Sequence, residues 1–166
     1  MTTQIHNIKK IIDLCKKSDE KNINEIIKSY SPKSGHIYCL HNKMFYSYGQ
    51  NVFKCGNSCN PQQLLESYAS NYLEVSELKI ISKKVFDKKF AGTLLLLFLD
   101  KYRISSTTDF FDCDIKIIQD VFKQIENIFE QYNSPDLLIK HLLSNNKYLE
   151  YYNLKQVSTV SNKKKQ

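Results

Sequence analysis

Apolar residues recur along this chain in two rhythms, one suited to helices and one to short strands. Ile5, Ile8, Ile11, Ile12 and Cys15 fall at helical spacing, and Ile23, Ile26 and Ile27 repeat it after a polar break. The spacing predicts helices over about 4–17 and 22–30, the second stopped by Ser31-Pro32. His36 to His41 reads as a strand. The aromatic stretch from Asn42 to Asn51, which holds Gly49, reads as a hairpin extension, and Val52 to Cys55 as a second strand ended by Gly56. Asn60-Pro61 is a helix start, with Asn as N-cap and Pro at the first helical position, for a helix to about Ala69. Val75 to Ile81 makes a third strand. Asp87 caps a long helix to about Tyr102, and Phe110 and Phe111 sit in a short extended piece. Ile115, Ile118, Val121, Phe122, Ile125, Ile128 and Phe129 then line one face of the clearest amphipathic helix in the chain. Ser134-Pro135 opens another. The order predicts an α+β fold: a small, mostly antiparallel sheet with flanking helices, plus extra N- and C-terminal helices.

At 166 residues, 42% of them apolar, the chain can bury a core without staples. The pattern divides it into an N-terminal helical extension (1–33), a central domain (35–132), a C-terminal helical extension (133–157) and a disordered basic tail (158–166). The five cysteines are odd in number, and the start lacks a basic stretch followed by an apolar one. Both features predict an intracellular, cytoplasmic protein with reduced thiols. The longest apolar run, Phe90 to Leu99, is interrupted by Gly92 and Thr93 and falls short of the ~20 residues of a membrane helix. The net charge of +7 invites a nucleic-acid reading, but its location tempers that. Residues 1–34 carry +3, 35–71 carry +1, 72–132 carry −1 and 133–166 carry +4. Basic flanks on a neutral centre make a weaker case than the overall charge does.

Two clusters invite chemistry. Cys55 and Cys59, with Cys39, His36 and His41 on the neighbouring strand, could be imagined around zinc. Their spacing is not a knuckle, and alternation along a strand sends Cys39 and His36 to opposite faces. Small buried thiols are the expected reading, with no metal and no cofactor. His6 and His141 are expected to pack or to face solvent. Lys83, Lys84, Lys88 and Lys89 gather at the start of the long helix, where cations oppose the helix dipole unless an anion is near. They are the candidate nucleic-acid contacts, through phosphates and without sequence preference. Against this stands a solvated lysine face beside Glu74, Glu77 and Asp87.

Gly35-His-Ile-Tyr38 followed by Val52-Phe-Lys-Cys-Gly56 resembles the paired strands of the GIY-YIG nuclease superfamily. Lys54-Cys-Gly-Asn-Ser-Cys-Asn-Pro61, Leu65-Glu-Ser-Tyr68, Lys101-Tyr-Arg103, and Asp109-Phe-Phe111 ahead of a helix are similar to its branch in phages and large DNA viruses, described as a DNA-binding domain. The resemblance runs in order from Gly35 to about Glu130. An active member would be a metal-dependent endonuclease, with a tyrosine pair activating water, an arginine steadying the phosphate and a glutamate holding the metal. Carried over, the first tyrosine is Tyr38, the second falls on Phe53, the arginine on Leu64 and the glutamate on Gly92. Tyr68 matches a position that is Tyr or His in relatives. The resemblance therefore implies a non-catalytic descendant that binds DNA or another nucleic acid. A single Arg, no Trp and abundant Lys, Asn and Ile suit an AT-rich genome such as a virus, in which case a viral factory or the nucleus is the expected location.

Two alternatives stand beside this expectation. One is a protein-interaction or scaffold module, whose terminal helices cover a protein partner or a second copy. The other, weaker, is an active endonuclease with a rearranged site. The scarcity of Arg counts against reading of base edges.

Overall fold

The computed structural model describes residues 32–134 apart from Ser106, together with Leu137, Leu138 and His141. The helices expected over 4–30, most of the one expected over 135–155 and the basic tail lie outside these residues. Pro32–Gln131 form one compact unit. Tyr132 onward belongs to a second, in which the Tyr132 and His141 rings stack at 3.9 Å and Leu138 N–H donates to the Ser134 carbonyl.

In the first unit, β1 (His36–Asn42) leads through a short 3-10 turn (Lys43–Ser47) to β2 (Val52–Ser58). Then follow α1 (Pro61–Ala69), β3 (Ser76–Ile81), α2 (Lys88–Leu99), a 3-10 turn (Asp100–Tyr102), β4 (Phe110–Asp112) and α3 (Ile115–Gln131). The strands form one sheet in the order β3-β1-β2-β4, and every adjacent pair is antiparallel. This is the expected α+β arrangement.

The local chemistry explains the boundaries. Asn60 Oδ1 accepts the Gln63 N–H at 3.1 Å with Pro61 at the first helical position, so α1 starts where the Asn-Pro pair predicts. The buried Asp87 carboxylate accepts the Phe90 N–H at 2.9 Å and opens α2. That helix ends at Leu99, three residues before the expected Tyr102, and a 3-10 turn completes it. The expected hairpin extension after β1 is instead a 3-10 turn, because Asn42 caps it. Asn42 is buried with its partners supplied: its oxygen accepts Met44 N–H, and its amide donates to the Glu74 carbonyl and to Ser76 Oγ. Gly49, at φ +151°, lets the chain turn back into β2.

Alternation along β1 and β2 sorts their side chains onto two faces. Tyr38, Leu40 and Val52 cluster with Phe45, and against them pack Leu64 and Tyr68 of α1, Leu78 and Phe110. Ile37, Cys39 and Cys55 turn the other way and are almost fully buried on the side covered by α2. α3 packs in turn on α2, with Phe129 5.1 Å from Phe86 and 6.1 Å from Phe90 between ring centres. Cys39 and Cys55 are direct cross-strand partners, and burial followed by their mutual hydrogen bond pushes the Cys55 thiol well above the usual thiol range. Burial also pushes Cys113 up to about 11. Cys59 departs from the expected set of buried thiols and is exposed in the turn before α1. Among the described residues no group of three His, Cys, Asp or Glu is arranged to hold a metal ion. No helix among them is long and apolar enough to cross a membrane.

Candidate functional site

β2 does not stop at Gly56. It continues to Ser58, and Gly56 lies opposite Tyr38 in the β1–β2 register. The Tyr38 ring lies across that glycine: a Cβ there would stand 2.8 Å from Tyr38 Oη and 3.0 Å from Cζ. The missing side chain is thus the space that holds the tyrosine flat on the sheet. Tyr38 is only 5% exposed, and its hydroxyl neighbours that of Tyr68.

The same face carries Lys54, two residues before Gly56. Its ammonium donates to Tyr68 Oη at 3.0 Å and sits 4.8 Å from the Tyr68 ring centre and 5.9 Å from that of Phe110. Lysine, tyrosine and tyrosine thus form one connected polar group on an aromatic floor. Burial first, and then the Tyr68 neighbour and hydrogen bond, hold the Tyr38 phenol well above the usual tyrosine range. Ionising it is therefore harder than for an ordinary tyrosine.

The five positions marked by the resemblance divide between the two faces. Tyr38, Leu64 and Tyr68 come together. Phe53 does not join them. It sits one residue out of phase, 5.6 Å from the His41 ring, and the side chain that stands beside the two tyrosines is Lys54. Gly92, on α2, lies across the sheet from α1, under Asn57. A Cβ at Gly92 would stand 2.6 Å from Asn57 Nδ2, so the spot is filled by an uncharged amide from β2. Neither Leu64, packed in the apolar cluster, nor Gly92 offers a charged group, and these residues do not fit a nuclease metal or its phosphate clamp.

The four lysines near α2 are not equivalent. Lys83 Nζ lies 3.1 Å from Glu130, and its backbone N–H reaches Glu126, both on α3. Its partners are therefore these two residues on α3, while Glu77, expected beside the lysine face, pairs with Lys79 at 2.7 Å. Lys84 and Lys89 are exposed, and Lys88 is half-buried with its stem beside Gly35. The anion that cations at a helix start require is present as the Asp87 cap, whose carboxyl burial raises while the Phe90 and Lys89 N–H groups and the Lys89 charge lower it. The single arginine is likewise occupied. Arg103 Nε donates to the Thr108 carbonyl at 2.6 Å, and its guanidinium lies 3.5 Å from Asp109.

Lys54 opens the Lys54-to-Pro61 stretch that carries the resemblance, but sequence alone assigns it no role; the register that sets Tyr38 against Gly56 places it beside Tyr68. Comparison with protein-family models, curated proteins and solved structures finds no match to this chain.

Proposed function

We propose that residues 35–132 are a nucleic-acid-binding module of GIY-YIG type that does not cut its ligand. The observation that carries this reading is a surplus of hydrogen-bond donors at Lys54, whose ammonium is held against the Tyr68 hydroxyl and the Tyr68 and Phe110 rings. An ammonium has three N–H groups, and one is used on Tyr68. The other two are left for a ligand. A phosphate oxygen satisfies that set, and a charge-assisted contact of this kind is stronger than a neutral one.

Loss of cutting is supported separately by Leu64 in the apolar cluster and the amide over Gly92. Binding through such a group is phosphate binding, indifferent to sequence and steeply salt-dependent. The test is a salt titration by fluorescence anisotropy with duplex and single-stranded oligonucleotides. Affinity should fall log-linearly with salt, by about −0.9 per phosphate neutralised on duplex and about −0.7 on single strands. Lys54→Gln should reduce that slope by about one phosphate's worth. Absence of binding at low salt would overturn the reading.

One observation favours a second reading, a protein-docking module. Leu73 is 98% exposed and Val75 82%, in the loop before β3 that Asn42 ties to the 3-10 turn carrying the exposed Met44. Large apolar side chains so exposed in one place mark contact surfaces. Light scattering of the intact chain against a Leu73→Ser, Val75→Ser variant tests it: a mass that drops with the substitutions supports self-association through this loop.

A further inference from the structure

Phe110 connects the Lys54 donors to an exposed ring. Its centre is 5.9 Å from Lys54 Nζ and 5.7 Å from the centre of Tyr48, which is 63% exposed. These two contacts limit the distance from ammonium to phenol ring to the scale of one or two nucleotides. Tyr48 is also firmly placed. Its N–H donates to the Phe45 carbonyl, Phe45 is buried against Phe110 at 5.0 Å between ring centres, and the turn is capped by Asn42. We propose that this site takes single-stranded nucleic acid, with a phosphate on Lys54 and the neighbouring base stacked on Tyr48.

The inference deepens the phosphate-binding reading and rests on it. A ring held against Phe110 and still largely exposed loses little freedom when a base covers it. A base can do so only when it has left its own stack, which a single strand permits and a duplex resists. Every base has a face to stack, so no sequence preference follows, in keeping with Arg103 being engaged elsewhere. The Asp112 carboxylate lies beside Gly49, 3.5 Å from where a Cβ would be, and repels phosphate on that side of the turn. The backbone of a bound strand therefore leaves over Lys54. An extended peptide rich in Pro or aromatic residues is the competing occupant of an exposed tyrosine.

The chain contains no tryptophan, so Tyr48→Trp in the intact protein installs a single reporter at the proposed contact. An oligothymidylate should quench its emission, and inorganic polyphosphate, which has charge without bases, should not. Tyr48→Ala should weaken single-strand binding about 5- to 150-fold, the range for loss of one stacked base. Tyr48→Phe should retain affinity, and Tyr46→Ala, whose ring rests on His41 on the other side of the turn, should leave it unchanged. An unquenched reporter, equal losses from Tyr48→Ala and Tyr46→Ala, or a preference for duplex would overturn the stacking while leaving phosphate binding in place. Stronger quenching by a Pro-rich peptide than by the oligonucleotide would assign the ring to a protein partner instead. No binding of either oligonucleotide at low salt removes both proposals.

Discussion

The arrangement of the site depends on Gly56, and Gly56→Ala tests it directly. Inside a strand, alanine ordinarily gains roughly 0.5–1 kcal/mol over glycine, because glycine loses more backbone freedom on folding. Here the new Cβ would meet Tyr38 Oη at 2.8 Å, Cζ at 3.0 Å and Cε1 at 3.3 Å. That ring is buried and tied through Tyr68 to Lys54, so it cannot swing into solvent without losing its partners. Forcing a methyl into a filled space typically costs about 1–3 kcal/mol. The net expectation is a loss of up to about 2.5 kcal/mol, centred near 1, worth roughly 2–4 °C of Tm per kcal/mol at this chain length. Tyr38→Phe removes the nearest clashing atom, so the same substitution should cost less in that background, with a coupling of about 0.5 kcal/mol or more. Urea unfolding of the four proteins of the cycle measures both quantities. A Gly56→Ala protein as stable as the parent, or equal losses in the two backgrounds, would refute the claim that the tyrosine fills the glycine's space.

Three further outcomes are expected. Asp87→Asn should match or exceed the parent's stability at pH 7, since it keeps the cap without the buried charge, whereas Asp87→Ala should lose about 1 kcal/mol or more. Because burial raises the Asp87 pKa in the folded state, the parent regains stability as pH falls through that value, and chemical denaturation should show the Asn advantage shrinking toward acid. His41 has the opposite sign: burial, then Lys79, lowers its pKa, so its contribution is present above the usual histidine value of about 6.5 and is lost as pH falls through the folded one. His41→Phe should therefore flatten the urea midpoint between pH 7 and 5. Finally, neither plasmid nor branched DNA should be cut with Mg²⁺ or Mn²⁺, and Gly92→Glu should not restore cutting, because Asn57 covers that spot and no cation stands at Leu64; cleavage that disappears with Tyr38→Phe would contradict this.

The parts of the fold that were legible are those fixed by neighbours in sequence. Asn60-Pro61 and Asp87 announce their helices because a cap acts within three residues. The apolar stripe from Ile115 to Phe129 needs no partner to be recognised. Gly56 was misread as a strand end because glycine within a strand usually weakens it. Its real reason is a ring on another strand, eighteen positions earlier by number, and nothing local encodes that. Lys83 looked like a free cation for a similar reason, since Glu130 lies on a helix far along the chain.

Register also governs the site itself. Pairing Tyr38 with Gly56 and Leu40 with Lys54 puts the lysine beside the tyrosines, and it sends Phe53 to the face with His41. A shift of one residue would reverse both, because side chains alternate along a strand. Motif spacing counted along one strand cannot decide that phase, whereas the cross-strand ring over Gly56 does. The same phase makes Lys54 the donor for Tyr68, and Phe110 then carries that donor's surroundings to Tyr48. The chemistry at this surface thus depends on one glycine that lets two strands meet at this pairing, and substitutions at Gly56 should disturb binding through Lys54 even though Gly56 itself presents no side chain to a ligand.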